Sequence, residues 1–283
     1  MKDIILTGDR PTGNLHLGHF VGSIRNRLKL QNQNNYDKFY IMIADTQALT
    51  DNASKVDKVK NNIIQVAIDY LSAGINPNNV TIFIQSMVPE LFEMTSYFMN
   101  LVSVSRLQRN PTIKDEIKQR GFDKTIPIGF LNYPVSQAAD ILAFGTTLVP
   151  VGEDQLPMIE LTREIVNSFN NTYNPKSPVF NLPKAIIPED AVCRRLPGLD
   201  GKLKMSKSAG NSIYLCDDEK SIKEKIMSAY TDPDHIKVSD PGKIEGNVVF
   251  AYLDAFCEDR HFKEYLPEYE NLNQLKAHYT KGG

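Results

Sequence analysis

Two short strings in this sequence carry residue types suited to phosphate chemistry. The first is His16-Leu17-Gly18-His19, and the second is Lys204-Met205-Ser206-Lys207-Ser208. Two imidazoles can donate hydrogen bonds to a phosphoryl group as negative charge develops on it. Two lysines are compact point charges on long stems, so they can follow a charge that moves during a reaction. The strings therefore predict that His16, His19, Lys204 and Lys207 act together on a phosphate group.

The first string is predicted to lie where a strand leads into a helix. Asp3–Thr7 is a short apolar run fit for a buried parallel strand, and Gly8–Gly13 has the composition of a loop. Gly18–Leu30 has the spacing of an amphipathic helix. The free amide groups and positive dipole of a helix start favour a bound phosphate. The simpler alternative is a pair of surface histidines on a capped helix.

The second string is predicted to be a loop that is able to move. Gly198, Gly201 and Gly210 surround its two lysines, so both cations are carried on a flexible segment. Such a segment can close over a triphosphate. The simpler alternative is a solvated basic loop without a ligand.

The first two-thirds of the chain alternates between strand-like and helix-like segments. Phe39–Ile43 and Val80–Ile84 read as buried strands, with a helical pattern between them that stops at Gly74. Thr146–Val151 is a further strand candidate. This order predicts an α/β fold with a Rossmann-like, doubly wound parallel sheet, whose binding crevice lies at the carboxyl ends of the strands.

The pattern changes to loop after about Pro183, and helical periodicity resumes from Ser221. We therefore predict a catalytic domain over 1–183, followed by the lysine loop and a helical C-terminal domain over 184–283. Leu272–Tyr279 is predicted to be the last helix.

Composition is ordinary for a soluble globular protein, with 41% hydrophobic and 23% charged residues and a net charge of −2. Three widely spaced cysteines without a C-x-x-C pair indicate reduced thiols in the cytoplasm. No apolar stretch approaches a membrane span and no signal peptide precedes the first strand. The remaining histidines lie far from the first string, so no metal site is expected; they are His235, His261 and His278.

The two strings together resemble the signature sequences of class I aminoacyl-tRNA synthetases, which activate an amino acid with ATP and load it onto tRNA. The resemblance implies ATP with Mg²⁺ as a substrate, a tRNA partner and a homodimer. In that family the helical region after the lysine loop carries anticodon-facing surface and continues further. The chain is therefore expected to be cut short at its C-terminus.

The segments Tyr133–Leu142 and Val149–Gln155 resemble tryptophanyl-tRNA synthetases, and Asp45–Thr50 resembles a second bacterial form of them. The resemblance extends from residue 1 to beyond residue 250. It implies that Asp140 accepts the indole N–H, while Tyr133 and Gln155 lie near the α-amino group of the substrate. Gln137 shares a helical face with Tyr133 and Asp140 if this stretch is a helix. The residues implied to meet ATP are Arg10, Pro11, Thr12, Gly18, His19, Gly152, Glu153, Asp154, Arg195, Lys204, Met205, Ser206, Lys207 and Ser208.

His19 and Gln137 depart from the commonest bacterial tryptophanyl pattern, which has Asn and Met there, and are closer to tyrosyl-tRNA synthetases. We predict a tryptophan–tRNA ligase acting on L-tryptophan and tRNA(Trp). The alternatives are a tyrosine–tRNA ligase and a non-catalytic paralogue that binds tryptophan or tRNA. Nucleotidyltransferases that make small coenzymes share the histidine string, but they lack the lysine string.

Overall fold

The computed structural model describes residues 2–122, 125–187, 196–202, 204–207 and 209–282. Backbone contacts divide the chain into two compact units. The first unit contains Met1–Asn14 and Arg25–Pro188, and the second contains Leu15–Ile24 and Glu189–Gly283. None of the helices among the described residues is long and apolar enough to cross a membrane.

The first unit is built on a parallel sheet of five strands in the order β3-β2-β1-β4-β5. The chain moves outward from β1 to β3 and then returns to the other side of β1. Neighbouring strands β1 and β4 therefore form the topological switch point, where ligands of such sheets bind. The strands are β1 Asp3–Asp9, β2 Tyr36–Ile43, β3 Thr81–Ile84, β4 Leu148–Pro150 and β5 Lys184–Ile186.

Helices surround this sheet. Each connection between parallel strands must return the chain to the end of the sheet where the strands begin, and a helix usually makes this connection. The helix α8 supplies much of the core, with Phe130, Val135 and Ile141 buried in one cluster with Leu6 of β1. The helices of this unit are α2 Arg25–Gln33, α3 Asp45–Asn52, α4 Val56–Ser72, α5 Glu90–Phe98, α6 Val104–Gln108, α7 Pro111–Arg120, α8 Ile128–Ala143 and α9 Leu156–Tyr173.

The second unit contains a short helix at the first string and four later helices among its described residues. Its core includes Val21, Met205 and Ile213 packed with Val248 and Tyr252. Burial of side chains of this size contributes about 1.5–3 kcal/mol each, so this core ties together segments that are distant in sequence. The helices are α1 Leu17–His19, α10 Glu219–Met227, α11 Val248–Phe256, α12 Asp259–Tyr265 and α13 Leu272–Tyr279.

The predicted α/β class, parallel sheet and C-terminal helices are confirmed. Three local predictions are wrong. Gly8 and Asp9 are not loop residues, because they pair with Met42 and Ile43 of β2 and form the end of β1. Residues 184–186 form β5 rather than a loop, because they pair with β4 and add an edge strand. The range Gly18–Leu30 is interrupted by a π-helical turn at Phe20–Ile24.

Candidate active site

The first string begins a helix, and its two histidines lie side by side. The backbone N–H of His16 donates to Nδ1 of His19 at 3.2 Å, and the two ring centroids are 3.8 Å apart. Because Nδ1 of His19 accepts this hydrogen bond, Nε2 is the ring nitrogen that can carry a proton in this arrangement. His19 is therefore prepared to donate from Nε2.

His16 is only 5% exposed. Burial, together with the neighbouring charges of His19, Lys207 and Lys204, lowers its pKa to about 3. The ring is therefore neutral at pH 7. Its Nδ1 has no hydrogen-bond partner in the described part of the chain. A Cβ at Gly18 would come within 2.9 Å of this ring, so the glycine of the string is required for close packing.

The lysine string is joined to the histidine string through Met205. This side chain is 2% exposed in the core of the second unit, and the backbone N–H of Gly18 lies 3.4 Å from its Sδ. Lys204 and Lys207 flank this anchor, and the charges of both lysines contribute to the lowered pKa of His16. The structure thus brings together the four residues predicted to act on phosphate, together with Gly18, Met205 and Ser206.

In the first unit, Arg10, Pro11 and Thr12 follow the carboxyl end of β1. Pro11 is buried, whereas Arg10 is exposed and its Nη1 lies 3.4 Å from Oδ2 of Asp51. These residues lie at the switch point of the sheet, where the doubly wound fold places its ligands.

A buried network that the sequence did not predict supports this end of β1. Arg27 is 2% exposed, and its Nη1 donates to Oδ2 of Asp9 at 2.6 Å. The hydroxyl of Tyr70 donates to the same oxygen at 2.7 Å. Arg27 also lies 3.4 Å from the carbonyl oxygen of Gly8. The sequence pattern before Asp9 is apolar and does not indicate that Arg27 and Tyr70 both contact the Asp9 carboxylate.

Asp140 is the most deeply buried acid among the predicted site residues, with 0% exposure. Nε2 of Gln85 donates to both of its oxygens at 2.9 Å, and Nε2 of Gln47 donates to Oδ2 at 2.7 Å. Burial raises the pKa of Asp140 to about 7, although the hydrogen bonds from Gln85 and then Gln47 oppose this shift. A carboxylate in this setting is a strong hydrogen-bond acceptor.

Gln85 was not predicted as a site residue. It is 1% exposed, and its Oε1 accepts from Thr46 Oγ1 at 2.5 Å and from the Gln47 backbone at 3.1 Å. One signal in the sequence points to it, because Gln85 directly follows the apolar run that forms β3. Side chains at the carboxyl ends of parallel strands meet in the crevice of the sheet.

The helix α8 presents Tyr133, Gln137 and Asp140 at helical spacing, as predicted. Nε2 of Gln137 donates to Oε1 of Gln155 at 3.3 Å, so the structure brings these two predicted residues together. The hydroxyl of Tyr133 donates to Oε2 of Glu116 at 3.1 Å. Tyr133, Gln137 and Gln155 are all half-buried.

Gly152, Glu153 and Asp154 are exposed and follow the carboxyl end of β4, beside β1 in the sheet. Asp154 accepts from Gln155 Nε2 at 2.9 Å, and its main-chain oxygen accepts from Thr112 at 2.9 Å. A Cβ at Gly152 would approach Asp154 Oδ1 to 2.6 Å. The lack of a side chain at Gly152 therefore allows the carboxylate of Asp154 to lie close to the backbone of this turn. Arg195 and Ser208 lie outside the described residues.

Comparisons with known proteins agree with this geometry. The sequence matches the family described as tRNA synthetases class I (W and Y) over residues 2–281. A tryptophan–tRNA ligase from Clostridium longisporum has 60% sequence identity with this chain, in a match that covers the whole chain and 79% of that relative. One from Lactococcus lactis has 57% identity, with the whole chain and 80% of that relative covered. A crystal structure of tryptophanyl-tRNA synthetase from Campylobacter jejuni, complexed with ADP and tryptophan, has a TM-score of 0.81 and 31% identity. This match covers 99% of this chain and 80% of that chain. The histidine and lysine strings, the switch-point sheet and these matches together show that the chain belongs to the class I tRNA synthetases of the W and Y family.

Proposed function

We propose that this chain is a tryptophan–tRNA ligase. It activates L-tryptophan with ATP and transfers the aminoacyl group to tRNA(Trp). The observation that carries the choice of substrate is the buried carboxylate of Asp140, held by amide groups of Gln85 and Gln47. An indole N–H can donate to this acceptor and phenylalanine has no such donor, whereas the hydroxyl of tyrosine could donate to it as well. Relatives at 57–60% identity over the whole chain are tryptophan–tRNA ligases, which supports tryptophan over the tyrosine alternative.

In the first step, a carboxylate oxygen of tryptophan attacks the α-phosphorus of ATP, which enters as its Mg²⁺ complex. A new carbon–oxygen–phosphorus linkage forms, and the bond from the α-phosphorus to the bridging oxygen breaks. Pyrophosphate leaves with the electron pair. No nucleophilic side chain is needed because the substrate supplies the nucleophile.

Charge moves toward the leaving pyrophosphate in this step. Lys204 and Lys207 stabilise that charge, and Nε2 of His19 donates a hydrogen bond to a phosphate oxygen. The neutral state of His16 suits it to hydrogen bonding within the cluster without adding a third cation beside the lysines. In the second step, a hydroxyl group of the terminal tRNA ribose attacks the adenylate carbonyl and AMP leaves.

The remaining site residues bind the two substrates. Tyr133, Gln137 and Gln155 orient the α-amino group of tryptophan, supported by the contact of Gln137 with Gln155. Gly152, Glu153 and Asp154 hold the ribose of ATP. Further ATP contacts come from Arg10, Pro11, Thr12, Gly18, Met205, Ser206, Arg195 and Ser208.

Residues 1–183 form the catalytic domain in this proposal, and 184–283 carry the lysine loop and the helices that face tRNA. The chain acts in the cytoplasm as a homodimer. A groove of about 170 Å³ on the first unit offers apolar surface for self-association; Met94, Phe98, Phe169 and Phe180 line it, and Glu90 and Glu93 also contribute to its lining. Tyr97 at this groove is 57% exposed. Sedimentation velocity measures the oligomeric state.

Exchange of labelled pyrophosphate into ATP tests the activity. The wild-type chain is expected to catalyse exchange that depends on tryptophan and is much weaker with tyrosine. A preference for tyrosine contradicts the substrate, and the absence of exchange with either amino acid favours a non-catalytic paralogue. Aminoacylation of tRNA(Trp) transcripts then tests the second step.

A further inference from the structure

Asn211 lies just beyond the lysine string and is 5% exposed. Its Oδ1 accepts from the backbone N–H of Ser206 at 3.0 Å. Its Nδ2 donates to Asp200 Oδ1 at 3.2 Å and to the carbonyl oxygen of Lys204 at 3.5 Å. One buried amide therefore holds the backbone on both sides of Met205.

Gly198 makes room for this amide. A Cβ on Gly198 would collide with Nδ2 and Cγ of Asn211. The next residue, Leu199, donates its backbone N–H to the carbonyl oxygen of Asn211 at 2.9 Å. The position of Asn211 is thus fixed by the backbone around it and not only by its own hydrogen bonds.

The residues that follow Asn211 pair with the histidine string. The backbone N–H of Leu17 donates to Ile213 at 2.9 Å, and that of Leu215 donates to Leu15 at 2.9 Å. The segment 211–215 therefore contacts the lysine string through the Asn211 side chain and the histidine string through its main chain. Both contacts lie within the second unit.

We propose that Asn211 is a positioning residue for the activation step. It fixes the backbone of Lys204 and Ser206, and through them Lys207, relative to His16 and His19. The lysine charges are then already in place when pyrophosphate departs. This inference rests on the proposed function, because it assigns Asn211 to the reaction described there.

The test compares Asn211→Ala with Asn247→Ala. Asn247 is a matched control in the same unit: it is 4% exposed, and its side chain caps α11 by accepting from Val249 at 3.0 Å. Both variants lose a buried amide, so both are expected to melt at a lower temperature. Only Asn211→Ala is expected to lower kcat for pyrophosphate exchange, by about 10- to 100-fold, because misplacement of reacting groups slows the chemical step.

Tryptophan affinity provides a second readout. The chain contains no tryptophan, so the fluorescence of the ligand reports binding without a tryptophan background from the protein. The dissociation constant of tryptophan is expected to stay within about twofold in Asn211→Ala, since its contacts are with the lysine string. If this variant fails to fold, Gly198→Ala keeps the amide but displaces it, and is expected to show the same loss of kcat.

A double-mutant cycle shows whether Asn211 acts through the lysines. The effect of Asn211→Ala is expected to shrink in a Lys207→Ala background, where less charge remains to be positioned. Equal exchange rates in Asn211→Ala and Asn247→Ala overturn the inference. It is also overturned if the loss of kcat in the double variant equals the product of the losses in Asn211→Ala and Lys207→Ala alone. Failure of the wild-type chain to exchange with tryptophan overturns both this inference and the proposed function.

Discussion

The residues around Asp140 and the cluster around Met205 differ in the charges that they bring together. In the pocket, one buried acid is surrounded by neutral amides, and its hydrogen-bond partners among the described side chains are Gln47 and Gln85. In the cluster, a buried and neutral His16 lies near two cations, and both of them lower its pKa. The first region holds a buried acid with neutral amide donors, whereas the second holds cations beside a neutral imidazole.

In the proposed function, this difference separates recognition from catalysis. The amides fix the Asp140 carboxylate before any substrate arrives, so the pocket is ready to accept a donor in the ground state. In the proposed function the lysines lie near the departing pyrophosphate, and the negative charge on that group grows as the reaction proceeds. Interactions that strengthen in the transition state raise the rate, whereas those present throughout raise affinity.

Among the substitutions that distinguish the two regions, Asp140→Ala is expected to change the kinetics most. Loss of the acceptor should lower kcat/KM for tryptophan by at least about a hundredfold. The KM for ATP should change little, because the residues proposed to bind phosphate are those of the histidine and lysine strings. Exchange kinetics with each substrate varied in turn measure both values. Equal losses for tryptophan and ATP would remove the distinction between the two regions.

Lys207→Ala is expected to produce the opposite pattern. The rate constant for adenylate formation should fall by about 10- to 100-fold, because the lysine charge matters when pyrophosphate leaves. Tryptophan affinity should be nearly unchanged. Single-turnover measurements separate the two quantities. A variant with a normal rate and poor tryptophan binding would refute the role of this lysine.

Gln85→Leu is expected to weaken recognition by about tenfold in kcat/KM for tryptophan at pH 7. The substitution removes donors that favour the ionised form of Asp140, so the pKa of this acid should rise above its value of about 7. The loss should therefore be greater at pH 6 than at pH 8.5. The matched control is Gln65→Leu, which removes a hydrogen bond of 2.9 Å to Asp69 elsewhere in the first unit. A pH-independent loss in Gln85→Leu, or an equal loss in the control, would argue against this role.

His16→Asn is expected to have the smallest effect, on the pH dependence of stability. The pKa of His16 falls from 6.5 to about 3 on folding, so the unfolded chain binds the proton more readily between these values. The wild type therefore loses stability as the pH falls from 6.5 toward 3, and His16→Asn should lose less. Urea unfolding at pH 7.5 and pH 5 measures the difference. Identical pH dependence in both chains would show that His16 is not held neutral by the fold.

Features with a strong local pattern were predictable from the sequence. Apolar runs gave β1 and β2, and helical spacing placed Gln137 and Asp140 on one helix. The two strings proposed to bind phosphate were visible because histidine and lysine at these spacings have few structural uses.

Features made by convergence of distant residues were not predictable in the same way. β5 has only three residues, too few for a periodic pattern, and it forms because β4 offers an open edge. The amide donors to Asp140 come from positions 93 and 55 residues away in sequence. The buried contact of Asn211 with the backbone beside Gly198 likewise exists only after the second unit folds.

The most direct test of the account uses the benzothiophene analogue of tryptophan, in which sulfur replaces the indole N–H. This analogue keeps the shape of the substrate but would leave the carboxylate of Asp140 without its donor. In wild type, kcat/KM for pyrophosphate exchange should be at least about a hundredfold lower with the analogue than with tryptophan. In Asp140→Ala the two substrates should differ by less than about fivefold, because the acceptor is gone. If the wild-type chain uses both substrates equally well, Asp140 does not recognise the indole N–H and the central claim is wrong.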